Sequence, residues 1–249
     1  MEFICKEFAL NHSHSTMKVG TDSILLSGLV AEFFAKKQKE DYNFASTQIK
    51  NILDIGTGCG ILSLCVAQIF EKADIMAIDI DDKSIIEAHN NFQSSKFYHR
   101  MNTANISVQS FSKTSNKTFD LIISNPPFFT NSLQSPNERR TNARHNNSLS
   151  LMDFVLSCKT LLSENSYVAI VLPEKEMSEI QSLFKRENIN LVMQTDVFPK
   201  PNTQIKRKVC IFQNSSSISS EVKSQSLYIR TANNEYSKYY KFLTSPFLL

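Results

Sequence analysis

The sequence predicts an α/β fold, an open and mostly parallel sheet with helices on both faces and a terminal antiparallel pair. Three observations predict it. Short apolar runs of strand length alternate with helix-length stretches along most of the chain. Asn51-Ile52-Leu53-Asp54-Ile55 runs directly into Gly56-Thr57-Gly58-Cys59-Gly60, after which an apolar helical stretch begins at Ile61: a buried strand, a tight turn and a helix. Near the end, Leu191 to Val197 and Arg207 to Phe212 read as two neighbouring antiparallel strands.

The glycine loop decides the kind of ligand. The chain of 249 residues has only 5 glycines, and Gly56, Gly58 and Gly60 are three of them; average usage, about 7%, would supply roughly three times as many. A dinucleotide fingerprint, G-x-G-x-x-G, needs a glycine where Ile61 stands, and no Lys follows Gly60 to make a phosphate loop. What remains is D-x-G-x-G-x-G, with Asp54 ending the strand. S-adenosylmethionine has a cationic sulfonium and an amino group and no phosphate, so a carboxylate beside the loop suits it. A tight turn that binds nothing is the plainer alternative.

Composition bounds the rest. Hydrophobic residues at 41% suffice for a sizeable core, and a net charge of +3 permits a nucleic-acid partner without requiring one. Cys5, Cys59, Cys65, Cys158 and Cys210 are scattered, with no C-x-x-C, which reads as a reduced cytoplasmic chain with no zinc site or disulfide framework. His12 and His14 lack ligand-spaced partners, and no metal is expected. No signal-peptide pattern and no run near ~20 apolar residues is visible, so no membrane is expected. The chain reads as one domain over 1–249, a monomer, with residues 1–48 completing the ligand site and 49–249 forming the sheet core.

In order, Thr21 or Asp22 looks like the cap of an apolar helix running to about Phe34. A capped helix explains the stretch; its N-terminus, with Lys18 beside it, could also receive a ligand carboxylate. After the loop come a helix over Ile61–Phe70 and a strand over Ala73–Asp79. Asp79 falls about 20 residues past the loop, where an acid can accept from both ribose hydroxyls of an adenosine. Asp81 and Asp82 cap a helix to Phe92. Ile106-Ser107-Val108 reads as the third strand and Phe119–Ser124 as the fourth. Met152–Leu162 and Glu176–Arg186 read as helices around a fifth strand, Tyr167–Leu172. Leu227–Arg230 reads as a last short strand.

The fourth strand runs into Asn125-Pro126-Pro127-Phe128. Ligands of open α/β sheets bind beyond the carboxyl ends of the strands, so this turn and the glycine loop share a cleft. An Asn oxygen and a proline-stiffened carbonyl make two acceptors for the two hydrogens of an exocyclic amine, and Phe128 offers a face for a planar base. Accepting both hydrogens localises the amine lone pair toward a methyl donor. An apolar turn closing a strand is the bland alternative. The loop carrying Arg139, Arg140, Arg144 and His145 follows this turn, and Lys206-Arg207 opens the next-to-last strand; both suit RNA phosphates.

Asp54-Ile-Gly56-Thr-Gly58-Cys-Gly60, Asp79 and Asn125-Pro126-Pro127-Phe128 resemble class I S-adenosylmethionine-dependent methyltransferases that modify planar amines. Met17-Lys18-Val19-Gly20-Thr21-Asp22, Ala143-Arg144-His145 and Glu235-Tyr236-Ser237 resemble one branch, the tRNA1(Val) adenine N6-methyltransferases, over nearly the whole chain. The resemblance implies a seven-stranded Rossmann-like sheet, S-adenosylmethionine as cofactor, and the anticodon stem-loop of a tRNA as substrate. N6 of the adenosine just 3′ of the anticodon would be the target. It implies cofactor contacts from Lys18, Thr21, Asp54, Gly56, Thr57, Gly58, Gly60, Asp79, Ile80 and Asn125. The family places a small residue and an Asp after the third strand; this chain offers Phe111-Ser112 there, with Ser112 a weaker partner for adenine. RNA guanine-N2 and protein glutamine-N5 methyltransferases use similar turns, although the latter usually carry an extra N-terminal helical domain. A non-catalytic RNA- or nucleoside-binding domain is the reading from another class.

Overall fold

Along β7 (Leu162–Leu172) successive side chains enter two different cores: Tyr167, Ala169 and Val171 one, Val168, Ile170 and Leu172 the other. That alternation is the two-residue period of a strand buried on both faces, and it recurs in β6 (Phe119–Ser124) and β9 (Arg207–Asn214). The computed structural model describes residues 2–15, 19–40, 49–126, 149–215 and 221–249.

The remaining strands of this sheet are β3 (Asn51–Ile55), β4 (Asp74–Asp79), β5 (Met101–Asn105), β8 (Ile189–Phe198) and β10 (Lys223–Tyr228), in the order β10-β8-β9-β7-β6-β3-β4-β5. β7, β6, β3, β4 and β5 pair in parallel, and β9 runs antiparallel to β7 and β8. β10 adds in parallel to β8. The sheet therefore has eight strands among the described residues where seven were expected. Its antiparallel strand is interior, with Lys208 to Phe212 all buried.

Helices α1 (Thr21–Glu40), α2 (Ile61–Ile69), α3 (Asp82–Gln93) and α7 (Lys238–Thr244) pack with one core. Helices α4 (Val108–Thr114), α5 (Leu151–Leu161) and α6 (Glu174–Arg186) pack with the other. Thr21 and Asp22 lie inside the first turn of α1 and do not cap it, and the helix outruns Phe34 through a polar end carrying the Glu32–Lys36 pair at 2.9 Å. A hairpin of β1 (Glu2–Ile4) and β2 (Ala9–Asn11) precedes it.

The third strand differs from expectation. It is β5, Met101–Asn105, with little apolar patterning because it is the sheet edge, and Ile106-Ser107-Val108 is the entry to α4. Ser107 caps that helix, its hydroxyl accepting from the Ser110 N–H at 3.2 Å.

Candidate active site

At the carboxyl end of β3 the glycine loop is held from inside. Gly56 and Gly58 adopt φ of +73° and +57°, and a Cβ on either would meet nothing within 4 Å, so the loop's outer side is open. Gly60, at φ +87°, also lies against Phe92, where a Cβ would approach Cε1 to 2.4 Å. Four of the loop amides are committed: Gly56 and Thr57 donate to Ile78 O at 2.9 and 3.1 Å, Gly58 donates to Asp79 at 2.9 Å and Gly60 donates to Thr57 O at 2.9 Å. With those amides spent inside the protein the loop is a poor phosphate cradle; beside Asp54 and Asp79 it suits a ligand whose near charge is positive.

Asp54 sits beneath the loop, 1% exposed. Its Oδ2 accepts from the Thr57 hydroxyl at 2.8 Å and the Ser63 hydroxyl at 2.6 Å, while Oδ1 is buried without a hydrogen-bond partner among the described residues. Burial pushes its carboxyl up to about 6, and the two hydroxyls pull against that shift. Thr57 points inward, so any contact it makes with a ligand is through its backbone. Asp79 ends β4 with its Oδ2 on Gly58 N and its Oδ1 accepting from Asp81 N at 3.0 Å. Each oxygen keeps a lone pair for a ribose hydroxyl. Ile80 follows at 56% exposure, an apolar surface beside that carboxylate.

Ser112 is not at the end of the third strand. It stands in the second turn of α4, its hydroxyl donating to Gln109 O at 3.0 Å, and Ile106-Ser107 leave the strand instead. The displacement follows from β5 ending at Asn105.

Across the same edge, Asn125 leaves β6. Its Nδ2 donates to the Ser23 hydroxyl at 3.0 Å, and its Oδ1 is buried with no partner among the described residues. The following Pro126 is buried. The neighbouring Asp22 accepts from Arg207 Nε at 2.9 Å. The first turn of α1, where Thr21 is exposed, therefore links the end of β6 to the start of β9. Arg207, expected to meet RNA, is paired at 19% side-chain exposure, whereas Lys206 is exposed. Lys18, Pro127, Phe128, Arg139, Arg140, Arg144 and His145 lie outside the described residues.

The segment leading into α1 is strapped to α3. Glu87 accepts from the N–H groups of Ser13, His14 and Ser15 at 2.7, 3.0 and 2.8 Å. Asn91 accepts from Asn11 N at 2.8 Å and donates to Cys59 O at 2.8 Å, coupling strap and glycine loop. Ser23, Glu87 and Asn91 were not singled out in the sequence. The four-residue spacing of Glu87 and Asn91 on one helical face was the available signal. Among the described residues no cluster of metal-ligand type is present, and no helix is long and apolar enough to cross a membrane.

The site fits S-adenosylmethionine on three grounds: a ribose-competent acid, an open loop surface over a buried carboxylate, and, at the end of the neighbouring strand, an amide oxygen with no partner among the described residues. Comparison with known proteins agrees. Residues 32–147 match the family described as Methyltransferase small domain. A solved structure of an inferred O-methyltransferase from Agrobacterium tumefaciens shares the fold at TM-score 0.65 and 15% identity, covering 90% of this chain and 96% of that one. A protein of Parabacteroides distasonis is 31% identical over 99% of this chain and 97% of its own length. One from Haemophilus influenzae is 32% identical over 99% and 98%. Both are named tRNA1(Val) (adenine(37)-N6)-methyltransferase. The chain belongs to that family of methyltransferases.

Proposed function

We propose that this protein transfers a methyl group from S-adenosylmethionine to N6 of an adenine in tRNA, the adenosine beside the anticodon of tRNA1(Val) being the target. The observation that carries the reading is the buried Oδ1 of Asn125, without a partner among the described residues, at the carboxyl edge of the sheet that also carries the glycine loop and Asp79. S-adenosylmethionine supplies the electrophilic methyl when bound. Asn125 Oδ1 accepts one hydrogen of the target amine and the Pro126 carbonyl the other, which directs the amine lone pair outward; Phe128 supplies the stacking face. Asp79 would hold the ribose hydroxyls, exposed Ile80 would offer the adenine an apolar surface, and the buried Asp54 carboxylate would set a favourable field beneath the cofactor's cationic end. The amine proton leaves to water after transfer, since an amide is no base. An unpaired anticodon-loop base enters such a pocket at lower cost than one in a duplex. The chain works as a monomer in the cytoplasm, where its tRNA substrate and reducing conditions for its five thiols coincide.

The test is labelled S-adenosylmethionine with unmodified tRNA, followed by digestion to nucleosides. Label appears in N6-methyladenosine, and Asn125→Ala lowers turnover by about a hundredfold or more with a smaller change in cofactor affinity. Label in N2-methylguanosine would overturn the base assignment, and undiminished turnover by Asn125→Ala would overturn the role of the amide.

A further inference from the structure

Glu235-Tyr236-Ser237 resembles the family, yet nothing in the site above uses it. Its residues lie just beyond β10, at the edge where β3, β4, β6, β7, β8 and β10 end and β9 begins. Arg230 and Tyr236 form a backbone bridge that closes a tight turn, with Thr231 N donating to Glu235 O at 2.8 Å and Asn234 at φ +63°. On that turn the Arg230 guanidinium stands 4.3 Å from the centroid of the Tyr236 ring and donates through Nη1 to Asn234 O at 2.6 Å. Tyr236 is stacked on Tyr240 with centroids 4.8 Å apart, and is still 45% exposed.

The β8–β9 turn is joined to this one, since Arg230 N donates to Pro199 O at 2.9 Å. It carries exposed Lys200 and Lys206 and no acid between residues 199 and 206. Tyr228, 40% exposed, stacks on Phe198 between the two turns, and Glu235 is the single acid in residues 229–238.

We propose that Arg230 on Tyr236, with Lys200, Lys206 and Tyr228, is an RNA-docking surface that grips the backbone of the stem-loop whose base enters the Asn125 pocket; this rests on the function proposed above. Three features point to RNA. The patch is basic and aromatic together, the pairing that binds phosphates and stacks bases. Its guanidinium is already ordered, so little side-chain freedom is lost on meeting a phosphate. It is four strands from β6 along the shared edge, ~19 Å at the usual strand spacing, too far for a mononucleotide in the pocket and within the span of a folded stem-loop.

The experiment measures tRNA binding against salt for wild type, Arg230→Gln, and the surface variant Lys200→Glu/Lys206→Glu, alongside cofactor affinity and kcat. For each variant, KM for tRNA rises about tenfold, the slope of log K against log salt falls by about 1 per cation removed, and kcat and cofactor affinity stay at wild-type values. Because Lys200 and Lys206 are exposed turn residues, their variant reports on the surface even where Arg230→Gln perturbs the fold. Unchanged tRNA affinity and salt slope in a wild-type enzyme that still methylates tRNA would overturn this surface alone. Wild type that methylates no tRNA would overturn the function on which it rests. Loss of cofactor affinity in step with tRNA affinity would make the cluster a fold element and overturn the docking role.

Discussion

Asp54 shows how one side chain can serve the loop above it and a ligand beyond it. Thr57 and Ser63 both donate to Oδ2, which fixes the turn, and the buried Oδ1 has no partner among the described residues. Its folded pKa, pushed up to about 6, lies above the ordinary 3.8. The protonated form therefore favours the folded state: the stability it contributes is complete below pH 3.8 and is lost as pH rises through about 6. A cation docked near Oδ1 favours the charged form. S-adenosylmethionine affinity should then rise through the same window, falling roughly tenfold at pH 5 relative to neutral pH, while Asp54→Asn binds more weakly and without this pH dependence. Calorimetry at both pH values checks it. Equal affinities in the wild type would place the carboxylate outside the cofactor's field.

Among elements, the strap on α3 is fastened by charge. Burial pushes the Glu87 carboxyl up, and the three backbone N–H groups of Ser13, His14 and Ser15 outweigh this and hold it below the ordinary 4.5. These bonds contribute fully above pH 4.5 and are lost as pH falls through the lower folded value. Glu87→Gln keeps the shape and removes the charge. Because a hydrogen bond to a charged acceptor is worth about 1.5–3 kcal/mol, amide exchange at Ser13 to Ser15 should accelerate at least ~tenfold. Unchanged exchange would mean that packing of Leu10 and Phe8 holds the strap instead. Legibility in the sequence follows the same physics. β3, β4 and β6 were readable because central parallel strands are apolar on both faces, and Asp54, Asp79 and Asn125 were readable because each stands at or next to the carboxyl end of one of them. β5 was not, since an edge strand needs no such run; the better-looking Ile106-Ser107-Val108 is a cap. The β1–β2 hairpin and α7 were missed because their partners are distant: Lys6 N donates to Phe247 O at 2.9 Å. Asp22 and Ser23 gain their partners, Arg207 and Asn125, only when α1 lies across the sheet edge.

At the scale of the whole molecule, the chain's end closes the core that its beginning opens. Tyr240, Leu243 and Phe247 are buried in the core shared by α1, α2 and the sheet, and Phe247 is fully buried. α7 comes so near α1 that a Cβ on Gly28 would stand 2.4 Å from Leu243 O, so the two helices meet backbone to backbone with no space to relax. α1 also carries Asp22 and Ser23 to the catalytic edge, so the last residues pack against the helix whose first turn reaches the site. Removing a buried phenyl from such a contact costs about 3–5 kcal/mol, which for a chain of this size lowers the melting temperature by roughly 10 °C. Phe247→Ala should therefore melt about that much earlier. S-adenosylmethionine should still protect it, because the glycine loop, Asp79 and Asn125 rest on β3, β4 and β6, which the substitution does not touch. Calorimetric melting with and without cofactor separates the alternatives. A shift of the expected size with protection retained confirms that the tail stabilises the shared core; a melting temperature equal to wild type would show that the tail is not part of the cooperative unit.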